Sequence, residues 1–380
     1  MLRDAARADA LAESVLQYAL ETLTDDANWR QTYAGGGWQS APPQVGVSVR
    51  WRLYDPIDGS LTDDTTEPVH IVAEARVGDA RRSVSAVFDP ILAPLDILSS
   101  AVHSSDDITI PATGLFEASN QLNLGSQEAR VSANDDWDSR GLLIGSVQAV
   151  DLVRKGAVTG SSTRISAPKR MPPADLFARW AARATATGYH GDVDTEILAP
   201  GYNTYGGPSS PAGIYLINSP WNDVTIRRSR LVGTLLIDAP GRTVRLRDEM
   251  LLQTVSPDRP VLMIRAARVV FDFDGRNGTP RFRESDSRNL NPPGVPYNGS
   301  TDNDTSDGYP SLIEGLVHVI GDVELKGDSR VNGVLIVDGD IVVSGSPTVS
   351  FDPAIRANPP DGYLEGVGLK LRRGGCLPGP

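Results

Sequence analysis

The sequence has one cysteine among 380 residues, few aromatic side chains and more acidic than basic residues. Cys376 has no second cysteine to pair with, which excludes an intramolecular disulfide and a cysteine-based zinc site. Aromatic residues make up 6%, against 37 glycines and 28 prolines, and this balance favours many short strands over long helices. The formal net charge of −12 opposes nucleic-acid binding, because phosphate affinity comes from clustered lysine and arginine.

Long apolar runs are also absent from the sequence. No stretch approaches the roughly 20 apolar residues of a membrane-spanning helix. The first residues, Met1 to Asp4, lack the apolar core of a signal peptide. Any membrane contact would therefore need a segment outside the printed sequence.

The N-terminal part predicts one helix and a small sheet. Apolar residues recur at three- and four-residue steps between Arg3 and Leu23, which is typical of an amphipathic helix. Between Val45 and Phe88 apolar and polar residues alternate around turn signals, which predicts antiparallel strands. We therefore predict a first domain over residues 1–90, in which the helix packs on a small antiparallel sheet.

The remainder of the chain predicts a mainly β second domain. Short β segments separated by Gly, Asn, Asp and Ser begin near residue 91 and continue to about 360. A helix is predicted inside this domain over about 173–187, with Asp175 near its cap and Gly188 as its stop. A polar, proline-rich loop is predicted over about 274–310, and residues 361–380 are predicted to form a C-terminal tail.

Six consecutive six-residue repeats form a glycine ladder near the C-terminus. The third and fifth places of each repeat are almost wholly aliphatic, so a two-residue alternation turns both inward. Three repeats make one triangular rung of about 18 residues, and stacked rungs bury a continuous column. This pattern predicts a single-stranded parallel β-solenoid, with antiparallel hairpins joined by glycine turns as the alternative. The repeats begin at Gly315, Gly321, Gly327, Gly333, Gly339 and Gly345.

These two regions resemble a known group of proteins. Residues 315–323, 331–341 and 358–363 resemble the C-terminal β-helical region of type IV pilin-like and pilus-assembly proteins, and similar glycine-punctuated coils occur in bactofilins. Residues 8–20 look like the polar half of a pilin-type helix. We expect the pilin leader and apolar anchor to lie upstream of Met1. The repeats lack the aliphatic-before-glycine order of left-handed hexapeptide acyltransferases, so we predict a right-handed β-helix.

The resemblance implies a non-catalytic structural or adhesive component of a bacterial cell-surface, pilus or secretion-type assembly. Such a protein would be exported to the periplasm, outer membrane or cell surface. Its partners would be other pilin-like or assembly subunits, reached through the N-terminal helix, and surface glycans. We expect no nucleic-acid partner, and membrane contact only through the missing anchor. The alternatives are a glycan-binding or polysaccharide-degrading β-helix protein and a bactofilin-like polymer-forming scaffold.

Aspartates at equivalent places of the ladder are one candidate for chemistry. Asp322, Asp328 and Asp340 share the second place of their repeats, and rung geometry should stack Asp322 on Asp340. Parallel β-helices can carry paired carboxylates for glycan cleavage. No Arg or Lys group accompanies these aspartates as a lyase base would require, so we favour solvation of the solenoid corner. We therefore predict no catalytic residue.

The polar loop offers a second candidate. Asp302, Asp304 and Asp307 supply hard oxygen ligands within a short, turn-rich stretch, which suits calcium. The stretch lacks the twelfth-position glutamate of an EF-hand, and a solvated loop is the competing interpretation. Calcium is the one cofactor that the sequence suggests.

Histidines and aromatic residues add little to these candidates. No two of the four histidines stand at a metal-ligand spacing: His70, His103, His190 and His318. Four aromatic residues near Gly206 could form a sugar-stacking patch, although core filling is favoured: Tyr202, Tyr205, Tyr215 and Trp221.

Overall fold

The computed structural model describes residues 2–26, 28–42, 45–120, 129–188, 191–274, 282–284 and 288–378. The protein is mainly β, as predicted. It divides into two compact units, and the boundaries differ from the predicted ones. The first unit combines Met1–Ala93 with Leu364–Pro380, and the second is Pro94–Tyr363.

The helices, in chain order, are α1 (Leu2–Asp25), α2 (Trp29–Thr32), α3 (Leu176–Arg183) and α4 (Pro353–Ala357), with a 3₁₀ turn at Asp96–Ser99. The strands are β1 (Gln39–Ser40), β2 (Val47–Tyr54), β3 (Val69–Val77), β4 (Ala80–Pro94), β5 (Val102–Ser104), β6 (Ile108–Ile110), β7 (Leu115–Asn120), β8 (Arg130–Ser139), β9 (Leu142–Ile144), β10 (Ser146–Arg154), β11 (Ala157–Val158), β12 (Ser162–Arg164), β13 (Thr185–Ala186), β14 (Val193–Asp194), β15 (Ile197–Ala199), β16 (Tyr202–Asn203), β17 (Ile214–Asn218), β18 (Val224–Arg227), β19 (Arg230–Val232), β20 (Thr234–Asp248), β21 (Leu251–Gln253), β22 (Pro260–Phe273), β23 (Phe282–Arg283), β24 (Gly308–Tyr309), β25 (Leu312–Leu325), β26 (Arg330–Val337), β27 (Ile341–Val343), β28 (Thr348–Phe351) and β29 (Leu364–Pro378).

The first unit packs α1 on a five-stranded sheet of order β1-β2-β3-β4-β29. Strands β2, β3 and β4 pair antiparallel, which confirms the predicted helix and antiparallel sheet. The helix contacts β3 and β2 through a stripe that recurs every three or four residues. Most of the stripe is small, so the helix lies close to the sheet: Ala8, Ala12, Val15, Ala19 and Leu23.

Residues predicted as a C-terminal tail form a strand instead. β29 is the edge strand beside β4, and the Arg372 guanidinium pairs with the Asp89 carboxylate at 2.6 Å. In the structure Gly366 passes so near the main chain of Thr65 that a Cβ would lie 2.4 Å from the Thr65 carbonyl oxygen. Here glycine permits close packing of two backbones.

The second unit is a parallel β-solenoid in which the glycine ladder stacks as predicted. Gly315 pairs with Gly333 and Val323 with Ile341 in parallel register, one 18-residue rung apart. A Cβ on Gly333 would lie 1.9 Å from the Gly315 carbonyl oxygen, and the φ of Gly333 is +157°. Only glycine fits this corner. The parallel pairing contradicts the hairpin alternative for this segment, and the right-handed sense stays a prediction.

The coils of the solenoid do not stack in chain order. The chain enters at β5–β7, and β8–β9 and then β10–β12 extend the stack in one direction. After α3 the chain resumes at the opposite end with β13–β15 and stacks back through β17–β19, β20–β21, β22 and β25. The last coil, β26–β28, then pairs with the first, β5–β7, as Leu335 with Val102 shows. Entry and exit therefore meet, and the Leu95 N–H donates to the Tyr363 carbonyl oxygen at 3.0 Å.

Helix α3 is shorter than the predicted 173–187. It ends at Arg183 because Thr185 already pairs with Tyr215 as a strand. Asp175 makes no side-chain cap and instead forms an ion pair with Arg179 at 3.4 Å.

The buried face of α3 packs on the outside of the solenoid. Leu176, Phe177 and Trp180 form one cluster with outward-pointing aliphatic residues of the C-terminal coils. These residues are Ile214, Leu236, Met263, Leu316, Val334 and Ile336. The helix thus covers an apolar outer face that a solenoid would otherwise expose to water.

The loop predicted over 274–310 is partly packed. Residues 275–281 and 285–287 lie outside the described part of the chain. In the remainder, β23 pairs antiparallel with β24, and Phe282 and Tyr309 join a buried cluster with Leu290 and Val295. The buried Arg230 guanidinium of β19 donates to the carbonyl oxygens of Leu290 and Val295, at 2.7 and 3.0 Å. This loop is therefore held on the solenoid by a core of its own.

Candidate functional site

The three aspartates predicted to bind calcium lie just before β24. The Asn291 side-chain amide donates to Oδ2 of Asp302 at 3.1 Å and of Asp307 at 2.9 Å, so the structure brings these two carboxylates together. Oδ1 of Asp304 instead accepts from the main-chain N–H and the hydroxyl of Ser306. The three aspartates, all described, do not form a group whose ligand oxygens lie within 4.8 Å of one another. Calcium in this loop stays a prediction.

The predicted stacking of Asp322 on Asp340 is confirmed, and it continues along the solenoid. The Asp340 N–H donates to Oδ1 of Asp322 at 3.2 Å, and the Asp107 N–H donates to Oδ1 of Asp340 at 3.2 Å. The Asp136 N–H then donates to Oδ1 of Asp107 at 2.9 Å. We call these four residues the aspartate ladder, in which the carboxylates of Asp322, Asp340 and Asp107 each cap the main chain of the next coil at one corner.

Two further acids flank the aspartate ladder. One carboxylate oxygen from each of Asp106, Asp107 and Asp340 lies within 4.8 Å of the other two, and the same holds for Asp107, Asp135 and Asp136. Burial, and then the carboxylates of Asp340 and Asp107, raise the pKa of Asp106. Three of the ladder carboxylates cap main-chain N–H groups. The arrangement therefore agrees with the interpretation favoured from the sequence, in which the aspartates solvate a corner of the solenoid.

A charged face lies beside the ladder on β20, β22 and β25. Arg268 stands opposite Asp322 in the strand register, and its guanidinium pairs with the Glu324 carboxylate. Lys326 Nζ lies 3.0 Å from Oε1 of Glu324. With Arg245 and other side chains of these strands, they line a shallow, open depression. The expectation that no Arg or Lys accompanies the ladder is therefore wrong for Asp322.

The cause of this error is the varying length of the coils. Coil spacing is regular within the glycine ladder, but the loop that precedes Gly308 separates β22 from β25 in sequence. Residues of β22 and β25 consequently face each other without any constant spacing that a repeat search would find. Register, which depends on tertiary stacking, places Arg268 beside Asp322.

The electrostatics of the charged face suit binding better than proton transfer. Burial alone would raise the pKa of Glu324, but hydrogen bonds from Lys326 and Arg268 outweigh it and lower that pKa. A general acid or base works best with a pKa near the working pH, and Glu324 is shifted away from it. The lining of the depression therefore sets four cationic side chains against two carboxylates, those of Glu324 and Asp272.

The described histidines of the solenoid, His103 and His318, are buried and hydrogen-bonded. His103 Nδ1 lies 2.7 Å from the Ser132 hydroxyl, a nucleophile-and-base pairing in form, yet both residues are 0% exposed. His318 Nδ1 lies 2.8 Å from the Tyr363 hydroxyl and is equally closed to substrate. Among the described residues no histidine belongs to a candidate metal group. His190 lies outside the described residues.

The aromatic residues near Gly206 do not form an exposed patch. Tyr205 and Tyr215 are buried, and the Tyr215 hydroxyl lies 2.7 and 2.9 Å from the carbonyl oxygens of Ala199 and Tyr202, which share its hydrogen. Trp221 is 78% exposed. Core filling, the favoured interpretation, is confirmed for the two buried tyrosines.

Sequence reasoning missed a third acidic group, in the first unit. Asp55, Asp58 and Glu67 each bring a carboxylate oxygen within 4.8 Å of the other two, in the connection between β2 and β3. The sequence around Pro56 to Gly59 predicts only a turn. The signal that could have found it is a run of acids without any basic residue.

The comparisons with known proteins are sparse. Among the described helices, none has the length and apolar character to cross a membrane. The sequence matches no protein-family model and no curated protein. Similar solved structures include the competence-associated pilin ComZ from Thermus thermophilus, with 10% identity, a TM-score of 0.24, and 99% of this chain and 97% of that chain covered. Another is the DUF3494 domain of ice-binding protein 1 from Shewanella frigidimarina, with 10% identity, a TM-score of 0.30, and 69% and 98% covered. TM-scores this low support no inference about activity or partners.

Proposed function

We propose that this protein is a non-catalytic structural subunit of a bacterial cell-surface assembly of the pilus or secretion type. The first unit would join the assembly through α1, and the solenoid would be the body that it displays. One observation carries the proposal: the whole solenoid, Pro94–Tyr363, is inserted between β4 and β29, which are neighbours in one sheet. An insertion at adjacent strands leaves the helix-and-sheet unit intact as a module.

Helix α1 offers a surface for partner subunits. One side of the helix is committed to its own sheet, whereas Glu13, Gln17 and Glu21 are exposed on the other. Tyr18 lies among them and is 36% exposed. A mixed polar face of this kind suits lateral packing between copies of a helix-bearing subunit.

The state of the acidic and histidine groups supports a non-catalytic role. Hydrogen bonds from two cations keep Glu324 ionised, the aspartate ladder caps main-chain groups, and the Ser132–His103 pair is buried. The interior of the solenoid is filled by a continuous aliphatic and aromatic cluster. These features favour a load-bearing or display body.

Photo-crosslinking in the producing cells tests the proposal. A photoreactive amino acid at Gln17 should form light-dependent adducts with other assembly subunits, identified by mass spectrometry. The same amino acid at Trp221, which is exposed on the solenoid, is the control and should form no such adducts with these subunits. Adducts from position 221 together with none from position 17 would contradict the assignment of α1 as the assembly surface.

A second candidate function is binding of acidic glycans by the charged face. We propose it because Arg245, Arg247, Arg268 and Lys326 line one open depression. Clustered cations attract polyanions, and the attraction should weaken as salt rises. Replacing Arg245 and Arg247 by serine should reduce retention on an immobilised acidic polysaccharide at least fivefold.

The control for the glycan experiment is Arg154→Ser, which removes an exposed, ion-paired arginine from another coil. It should leave retention unchanged. Equal loss in both variants would show only a general charge effect and would contradict a binding face. Release of shortened polysaccharide would contradict the non-catalytic role.

A further inference from the structure

The connection between β2 and β3 concentrates negative charge. Residues 55–67 contain five acids and no Lys, Arg or His: Asp55, Asp58, Asp63, Asp64 and Glu67. Tyr54 pairs with His70 across the base of the connection, so its two ends are held together. Asp55 follows β2 directly and Glu67 lies just before β3, which brings acids from both ends to the same place.

One carboxylate oxygen of Asp55 and one of Glu67 are buried and accept no hydrogen bond. Asp55 is 2% exposed; its Oδ1 accepts from the Ile57 N–H at 2.7 Å, whereas its Oδ2 is buried and accepts no hydrogen bond. Oε2 of Glu67 is likewise buried and accepts none. A buried carboxylate oxygen without a donor is costly unless a cation or a proton neutralises it.

The surrounding groups hold this geometry in place. The buried Arg30 guanidinium donates to the main-chain oxygens of Leu61 and Glu67, which fixes both the middle and the end of the connection. Arg30 brings one positive charge against five acids.

We propose that Asp55, Asp58 and Glu67 form a calcium site in the first unit, separate from the charged face and from the loop at 302–307. All three ligands are carboxylate oxygens, the hard donors that calcium prefers. Two oxygens on opposite sides of a calcium ion lie up to about 5 Å apart, and the oxygens here fall within 4.8 Å of one another. Asp58 is exposed and offers an entry path, and water molecules would complete the coordination.

Calcium titration of the chelator-treated full chain tests the site. Isothermal titration calorimetry with calcium chloride should detect one ion at this site, half-saturated at roughly 0.1–1 mM, the range of extracellular calcium modules. The midpoint of thermal unfolding should rise with calcium. Magnesium should bind more weakly, because it demands a tighter octahedral cage. Absence of calcium binding by the folded protein, or equal binding of magnesium, would overturn the assignment.

Isosteric variants assign the residues. Asp55→Asn and Glu67→Gln should each weaken calcium binding at least tenfold. Asn can still accept from the Ile57 N–H, and Glu67→Gln is a second, less buried substitution if the first does not fold. The matched control is Asp304→Asn with Asp307→Asn, which should leave this binding unchanged. Binding that survives both of the first variants, or that is lost only in the control, would overturn the site.

Discussion

The main-chain N–H of Asp107 donates a 3.2 Å hydrogen bond to Oδ1 of Asp340, joining residues from the two ends of the inserted solenoid. The Asp107 carboxylate repeats the contact with the Asp136 N–H at 2.9 Å. The aspartate ladder thus crosses the joint between the last coil and the first. Its side chains cap main-chain groups at the point where the solenoid closes on itself.

Loss of a ladder carboxylate should destabilise the solenoid. Asp107→Ala leaves the Asp136 N–H without its acceptor and should lower the free energy of unfolding by about 1–2 kcal/mol. Asp107→Asn keeps an acceptor oxygen and removes one of several crowded negative charges, so it should be near the wild type. Urea unfolding of both variants measures the difference. Equal destabilisation would show that charge, and not capping, is what Asp107 contributes.

Close contact between coils should make Gly333 irreplaceable. Gly333→Ala puts a Cβ 1.9 Å from the Gly315 carbonyl oxygen and should cost about 3 kcal/mol or more, through overlap and backbone strain. Gly191→Ala is the control, because a Cβ there meets nothing within 4 Å. Thermal unfolding should separate the two variants by several degrees. Similar midpoints would mean that coils at this corner do not approach as described.

Buried His103 should make the solenoid sensitive to acid. Burial, and then the Lys169 ammonium, lower the pKa of His103 from 6.5 to about 3, while Asp96 opposes them. The unfolded chain then binds a proton that the folded chain refuses, so stability falls as pH drops from 6.5 towards 3. His103 should contribute a slope of roughly 1.4 kcal/mol per pH unit in this window.

The variant His103→Asn isolates this contribution. Urea unfolding between pH 4 and pH 7 should show a flatter dependence in His103→Asn than in the wild type. Ser132→Ala removes the hydrogen-bond partner of His103 but keeps the titrating ring, so its slope should persist. An unchanged slope in His103→Asn would show that other groups account for the acid sensitivity.

The Arg230 side chain should hold the loop at 288–310 on the solenoid. Its guanidinium donates to the carbonyl oxygens of Leu290, Val295 and Pro296. Arg230→Lys cannot reach all three and should cost about 2–4 kcal/mol. Limited proteolysis should cut this loop faster than in the wild type. Arg259 is the control: it is partly exposed, its guanidinium donates to the Ala212 carbonyl oxygen, and Arg259→Lys should not change the cleavage.

Local patterns predicted most of the elements but not their arrangement. The stripe of α1 and the glycine ladder have constant periods, so residues such as Ala12 and Gly333 could be placed from spacing alone. Nothing in the sequence distinguishes coils that are consecutive in the chain from coils that stack although they are far apart in the chain. The pairing of Leu335 with Val102 is of the second kind.

The candidate sites also separate into features that sequence spacing predicts and features that only the folded chain determines. Stacking of Asp340 on Asp322 follows from the 18-residue rung and was predictable. The position of Arg268 beside Asp322 depends on register across an irregular loop, and the burial of Asp55 depends on tertiary packing. Spacing carries neither kind of information, because desolvation and cross-strand contacts arise only in the folded chain.

Two deletions in the producing cells test whether α1 and its sheet join the assembly while the solenoid is the body that they display. One variant replaces residues 94–363 by a short glycine–serine linker between β4 and β29, and the other lacks residues 2–25. Co-purification with the surface assembly is the measurement. The first variant should still co-purify, and the second should not. Retention of the helix-deleted protein together with loss of the solenoid-deleted protein would contradict the proposed function.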